Sequence, residues 1–383
     1  MRIGIDCRTL LSPEKGEKAG VGHYTYYLVK HLLKHDKKNT YVLFFDHRSP
    51  KLKEFKQKNT EIVKFKMSEY KRYLPYAYSH VFVSKVLNEA NLDIFHSPAN
   101  VIPMKYKKPS IVTIHDLAIY SHPEWFPSKQ NFSINVLVPK SIEKAEHVIA
   151  VSESTEKDLK RLFNVSKKKV SVVYEGVTKV KAPSKLSMRR TLKKWKLADR
   201  YLFYIGTLEP RKNIAGIIQS FDELALEKLK KYKDMQLVIA GAKGFEFQDN
   251  YNAIKNAKSG KIRYIGYVTE KEKIALLNNA EAFIFPSHYE GFGLPVLEAM
   301  SYGIPVITSN VSSLPEVAGK AAELIDPSSL ESLKKGIHKV ITRKATRTKL
   351  AKSGKKQAKK FSWDKCAKQT LKIYKKVYKE NYS

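Results

Sequence analysis

The chain is poor in cysteine, in acid and in long apolar runs. Among 383 residues only Cys7 and Cys366 are cysteines. Two are too few for a disulfide framework, and their spacing is not that of a zinc site. A reducing compartment is expected. No apolar run approaches the roughly 18 residues of a membrane span. Met1 opens directly into Arg2–Asp6 (RIGID), with no apolar signal-peptide core. These absences predict a soluble, cytoplasmic protein. No Asp-x-Asp pair occurs, and no His, Cys and Glu set clusters along the sequence. No metal and no cofactor is therefore expected. Zinc-finger spacing, RNA-recognition aromatics and the P-loop pattern are missing too.

Acid is scarce against base. Lys and Arg number 71, Asp and Glu 37, and the formal net charge is +34. Such a surface attracts anions, so nucleic acid and an acidic membrane leaflet are the candidate partners. A solvated lysine surface with no partner explains the charge equally well. Only the charge speaks for nucleic acid, and that class is the weaker one. From Lys334 to Lys379 the single acid is Asp364. Val340, Ile341, Leu350, Phe361, Leu371, Ile373 and Tyr374 supply an apolar stripe there, which predicts helices with basic outer faces.

The 43% hydrophobic content is enough for two or three cores. Short apolar runs predict strands at Arg2–Asp6, Tyr41–Phe45, Ile62–Phe65, Ser110–Ile114, His147–Val151 and Val170–Val173. Helical spacing predicts Asn131–Glu146 and a helix starting near Glu153, capped by Ser152. Val177–Ser187 is polar, carries Pro183 and reads as a linker. The alternation then restarts with strands at Tyr201–Ile205, Gln236–Ala240, Ile262–Ile265, Ala282–Phe285 and Val306–Thr308. Strands alternating with helices predict two α/β, doubly wound parallel sheets.

Several loops carry candidate chemistry. Gly20-Val21-Gly22-His23 precedes a helical pattern and lacks the third glycine of a dinucleotide site. His115-Asp116 follows a buried strand, where open sheets place ligand contacts; fixing a loop is the other reading. After the next half's first strand comes Gly206-Thr207-Leu208-Glu209-Pro210-Arg211-Lys212-Asn213. Asn213 is expected to cap the following helix. Arg211 and Lys212 are either a diphosphate clamp or two surface cations.

The densest signal is Pro286–Met300 (PSHYEGFGLPVLEAM). A buried strand leads in, Gly291 and Gly293 bracket Phe292, and Pro295 suits a first helical turn. Helix amides there favour an anion, and Glu290 and Glu298 flank the loop as acceptors for sugar hydroxyls. A plain tight turn, with Glu298 complementing the helix dipole, also fits.

These residues resemble the retaining nucleotide-sugar glycosyltransferases of family 4. The resemblance spans nearly the whole chain. Its most specific part is Glu290 and Glu298 around GFGLPVL. GTLEPRKN (206–213), HVIAVSEST (147–155) and GVGHYT (20–25) add to it. It implies a GT-B fold, with Rossmann-like domains over 1–180 and 181–361 facing across a cleft. Residues 362–383 would cross back to the first domain with Trp363. It also implies a nucleoside-diphosphate sugar as donor substrate. Glu290 would meet the sugar hydroxyls, Glu298 the ribose, and Arg211 and Lys212 the diphosphate. The amides of Phe292 to Leu294 would face phosphate or sugar, with Gly291 and Gly293 shaping the loop. Gly206 and Thr207 would line the donor, and Tyr267 and Val268 would contact the base. Many relatives carry arginine at the Thr207 position, so Arg211 and Lys212 are left with the diphosphate charge. His115 would position the donor sugar. Gly20, Val21, Gly22 and His23 would line the acceptor side. The acceptor implied is a saccharide or lipid-linked saccharide, at the inner membrane face, in cell-surface glycan synthesis. The motifs lean toward mannosyl- or rhamnosyltransferase-like members. A nucleotide-sugar epimerase of the same fold, or a basic nucleic-acid-binding protein, are the alternatives.

Overall fold

The computed structural model describes residues 1–11, 20–49, 52–65, 78–127, 133–178, 180–227 and 229–382. The chain divides into two compact units. The first comprises Met1–Leu117, Ser128–Gly176 and Ser362–Ser383; the second comprises Ala118–Pro127 and Val177–Phe361.

Among the described residues, the first unit holds seven strands: β1 (Arg2–Asp6), β2 (Thr40–Asp46), β3 (Thr60–Phe65), β4 (Ile94–Ser97), β5 (Ser110–Ile114), β6 (His147–Ala150) and β7 (Val170–Val172). Their order is β3-β2-β1-β4-β5-β6-β7, and every neighbouring pair is parallel. Ile3 sits opposite both Tyr41 and Ile94. Runs such as TYVLFFD are almost wholly buried, as expected when helices cover both faces of a sheet.

The second unit holds β8 (Arg200–Ile205), β9 (Met235–Ala240), β10 (Ile262–Gly266), β11 (Ala282–Phe285), β12 (Val306–Ser309) and β13 (Glu323–Ile325). Their order is β10-β9-β8-β11-β12-β13, again all parallel. Each sheet grows outward from its first strand, then restarts on that strand's other side. The chain thus reverses direction between β1 and β4, and between β8 and β11. Loops leaving the carboxyl ends of such strands diverge and open a crevice for ligands.

Helix α1 (Gly20–His35) buries Tyr24, Leu28, Val29, Leu32 and Leu33 on one face. The final helix, α8 (Trp363–Tyr382), buries Trp363, Cys366, Thr370, Ile373, Tyr374 and Val377 at helical spacing. It packs on α1, and the Trp363 ring stacks on Tyr27 at 5.4 Å. A Cβ on Gly176 would lie 2.1 Å from the Trp363 backbone nitrogen, so only glycine allows this approach. His96 on β4 ties the layers together. It bonds Tyr374 Oη at 2.7 Å and Thr113 Oγ1 at 2.8 Å, and burial pulls its pKa down to about 3.

Several expectations need correction. Gly20, Val21 and Gly22 are not a loop ahead of α1 but its first turn, with Gly20 at φ +60°. The Asn131–Glu146 helix is a π turn over Ser133–Leu137 followed by an α-helix over Val138–Lys144; residues 131 and 132 lie outside the described residues. The linker is shorter than Val177–Ser187. Ser184 caps a helix over Lys185–Lys194, whose only buried residue, Thr191, gives no apolar stripe to read. Ser152 does cap α2 (Glu153–Phe163), accepting from Thr155 N. Among the described residues, no helix is long and apolar enough to cross a membrane.

Candidate active site

The site of the second unit grows from the carboxyl ends of β8 and β11, at the switch point. After β8, Gly206 runs close beside β9. A Cβ on Gly241 would lie 1.8 Å from the Gly206 carbonyl oxygen. Thr207 packs toward Gly244, and Leu208 bridges to Lys243. The chain then turns once through Pro210–Lys212 before α3 (Ile214–Leu226). Asn213 does not cap α3 with its side chain. It takes the left-handed conformation, φ 56°, and its Nδ2 donates to the Pro327 carbonyl at 2.7 Å. A turn before the helix needs one such residue, and Asn tolerates it.

After β11, the loop 286–293 is tied to that turn. His288 N donates to the Arg211 carbonyl at 2.8 Å. Ser312 and Ser313, beyond β12, hold the loop from below. Ser312 Oγ bonds the Glu290 carbonyl at 2.6 Å, and Ser313 Oγ bonds the Glu290 and Phe292 carbonyls, both at 2.9 Å. Gly293 is the N-cap of α5 (Leu294–Tyr302) at φ 107°, a conformation closed to side chains. The first turn of α5 therefore starts abruptly: Pro295 has no N–H, and the Val296 and Leu297 amides donate to the Gly293 carbonyl at 3.0 and 3.3 Å.

These constraints bring four charges together. Lys212 and Glu290 are both buried and form an ion pair, Nζ to Oε1. Arg211 Nη1 lies 3.4 Å from Glu290 Oε2, and its Nε donates to Glu209 at 3.0 Å. Lys212 Nζ also stands 5.2 Å over the Phe285 ring. Burial pushes the Glu290 carboxyl upward, but the Lys212 and Arg211 charges outweigh it and hold it below its ordinary range. The carboxylate is thus kept ionised in a dry setting. An ammonium carries three donors, of which Glu290 takes one. The set can present cationic donors and a fixed acceptor side by side.

Glu298 lies one turn into α5. Its two oxygens accept from Lys273 of α4 (Glu270–Asn279), at 3.2 and 3.1 Å. Burial pulls the Lys273 ammonium down, yet Glu298 and Glu270 raise it overall. Tyr267 and Val268 follow β10, farther along the sheet; Tyr267 is 60% exposed and Val268 is buried. Sequence reasoning missed Lys273, Ser312 and Ser313. They sit on other helices and loops, and spacing along the chain gives no sign of them.

His115 belongs to the first unit. Its Nε2 bonds the Pro98 carbonyl at 2.8 Å, and its Nδ1 lies 3.4 Å from Glu175, another residue the sequence did not mark. The Tyr24 ring, at the start of the second turn of α1, meets His115 edge-on at 4.8 Å. His23 lies against Tyr27 at 4.6 Å.

Two parallel-sheet Rossmann-like units, one with fixed cations and a buried carboxylate at its switch point, fit the GT-B fold that the sequence motifs imply. Comparisons with known proteins agree. A family model described as Glycosyltransferase Family 4 matches residues 19–179, and one described as Glycosyl transferases group 1 matches residues 189–357. O-antigen chain mannosyltransferase B of Escherichia coli is 34% identical over 285 residues, covering 74% of each chain. Among solved structures, sucrose-phosphate synthase from Thermosynechococcus elongatus superposes with a TM-score of 0.77 at 17% identity, covering 99% of both chains. Anabaena HepE, in complex with UDP and glucose, superposes with a TM-score of 0.72 at 16% identity, covering 98% of this chain and 100% of that one. The chain belongs to glycosyltransferase family 4 and is a hexosyltransferase.

Proposed function

We propose that the chain moves a mannose-like hexose from a nucleoside-diphosphate sugar to a saccharide or lipid-linked saccharide, with retention and without a metal. The observation that carries this is the Arg211, Lys212 and Glu290 constellation at the switch point. A departing diphosphate needs fixed positive charge, and a sugar becoming cation-like needs a fixed acceptor. Lys212, Arg211 and the backbone amides of Phe292 to Leu294 supply the former, and Glu290 the latter. Glu298, steadied by Lys273, takes the ribose. The bond from the anomeric carbon to the phosphate oxygen breaks. The acceptor oxygen bonds to that carbon on the same face, and its proton passes to the departing diphosphate. His115 positions the donor sugar rather than moving a proton.

The 34% identity to an O-antigen mannosyltransferase supports mannose and a cell-surface glycan. Rhamnose is the runner-up. The proposed setting is cytoplasmic, on the inner membrane face, with the basic helices 330–382 against anionic lipid. Purified protein is incubated with GDP-, UDP-, dTDP- and ADP-sugars and mannan oligosaccharides, with and without EDTA. Transfer from GDP-mannose, unaffected by EDTA, giving an α-linkage by NMR, is the expected result. Inversion at the anomeric carbon, loss of activity with EDTA that magnesium or manganese but not zinc restores, or donor conversion without transfer would overturn it. Lys212→Ala is expected to lower kcat by about 10²- to 10³-fold, the usual effect of removing one charge-stabilising donor.

A further inference from the structure

The sequence shows no metal-ligand cluster, but folding makes one in the first unit. His31 and His35 lie four residues apart on α1, on one face. Asp364, in the first turn of α8, meets both. His31 Nδ1 stands 2.8 Å from Asp364 Oδ1, and His35 Nε2 bonds the same oxygen. The three ligand atoms all lie within 4.8 Å of one another. None of these residues belongs to the proposed donor or acceptor site.

We propose that His31, His35 and Asp364 form a zinc site that clasps α8 to α1. Two imidazoles and one carboxylate are a usual zinc set, leaving a fourth position for water. Nitrogen-rich donors of this kind favour zinc over magnesium or calcium. Tetrahedral bonds of about 2.0–2.2 Å set ligand atoms roughly 3.3 Å apart. The present spacing needs only a small spread of side chains that are all partly exposed. Each ring nitrogen passes its proton to the opposite nitrogen of its ring, and the lone pair turns to the metal. His35 is the last residue of α1, where the helix dipole also favours a cation. The scaffold is fixed beforehand, because Trp363, next to Asp364, stacks on Tyr27, one turn before His31. From Tyr24, beside His115, to His35 the helix rises about 16 Å. The site is therefore a structural clasp rather than part of the transfer chemistry.

Lys34 gives the proposal a sharp test. Its Nζ lies 3.2 Å from the same Asp364 oxygen, and its side chain is 60% exposed. A metal must displace this ammonium. Untagged protein is stripped with a chelator, titrated with zinc by calorimetry, and assayed for retained zinc after gel filtration. One zinc per chain is expected. His35→Gln and Asp364→Asn should weaken binding by at least the roughly 10- to 100-fold that losing an outer-shell partner costs. Lys34→Gln should tighten it several-fold, whereas a simple ion-pair latch predicts no gain. Cobalt in the wild-type protein should show visible tetrahedral absorption, a readout that needs no variant to fold. Zinc lost on gel filtration, several weak sites only, unchanged binding by His35→Gln, or weaker binding by Lys34→Gln would each overturn the proposal.

Discussion

Replacing Lys212 with methionine separates what the buried ion pair does for stability from what it does for chemistry. In the native chain, Lys212 is the nearest cation to a buried carboxylate. Removing one member of such a pair usually costs about 3–5 kcal/mol, because the other charge stays dry and unpaired. Here Arg211 remains 3.4 Å from Glu290. At an effective dielectric near 20 that contact is worth roughly 5 kcal/mol before desolvation. The loss should therefore fall near the low end, about 3 kcal/mol. Urea slopes for domains of this size run to about 2–3 kcal/mol per molar, so the midpoint should drop by roughly 1–1.5 M. The double variant Lys212→Met with Glu290→Gln removes both buried charges, and Arg211 keeps Glu209. It should recover most of the lost midpoint yet stay inactive. The assay is urea unfolding followed by fluorescence, with transfer measured on the same samples. A midpoint for Lys212→Met within about 0.3 M of wild type, or a double variant no more stable than the single one, would refute the buried-pair argument.

Gly293→Ala should lose donor binding and about 1–3 kcal/mol of stability, because φ is 107° and the new Cβ would stand 2.8 Å from Leu314 Cδ2. Calorimetry with a nucleoside diphosphate and thermal unfolding check it; wild-type affinity would show that the left-handed cap is dispensable. His96 should stay neutral in the folded protein down to about pH 3, whereas an unfolded histidine charges near 6.5. Its folded pKa is depressed, so the unfolded chain binds the extra proton between those values, and stability falls as the pH falls through that window. Nitrogen chemical shifts of His96 follow this directly, and protonation near pH 6 would contradict it.

The sheets were readable because both are buried on two faces and appear as apolar runs bounded by glycine and polar turns. Ile94–Ser97 and Glu323–Ile325 escaped notice. They are four and three residues long, and polar His96, Ser97 and Glu323 break their apolar character. The loop around Glu290 was legible because glycine, proline and acid have local reasons to stand where they do. Its supports were not. Ser312 and Ser313 act through hydroxyls on carbonyls 21 to 23 residues back, and Lys273 reaches Glu298 from another helix. Asn213 looked like a cap by residue type. Its left-handed backbone turns the side chain to Pro327 instead, a choice made by tertiary contact. Ala118–Pro127 joins the second unit, where Trp125 stacks on His288 at 6.2 Å, and nothing local to that segment announces it.

Helix α8 completes the first unit, yet all of Val177–Phe361 is synthesised before it. On the ribosome, the first sheet emerges early with the α1 face that receives Trp363, and the His96 ring that receives Tyr374, uncovered. The second unit has its whole sequence available sooner and can close first. The nascent chain must therefore carry an open apolar seam through most of translation, and a stop codon near residue 360 would leave that seam open for good.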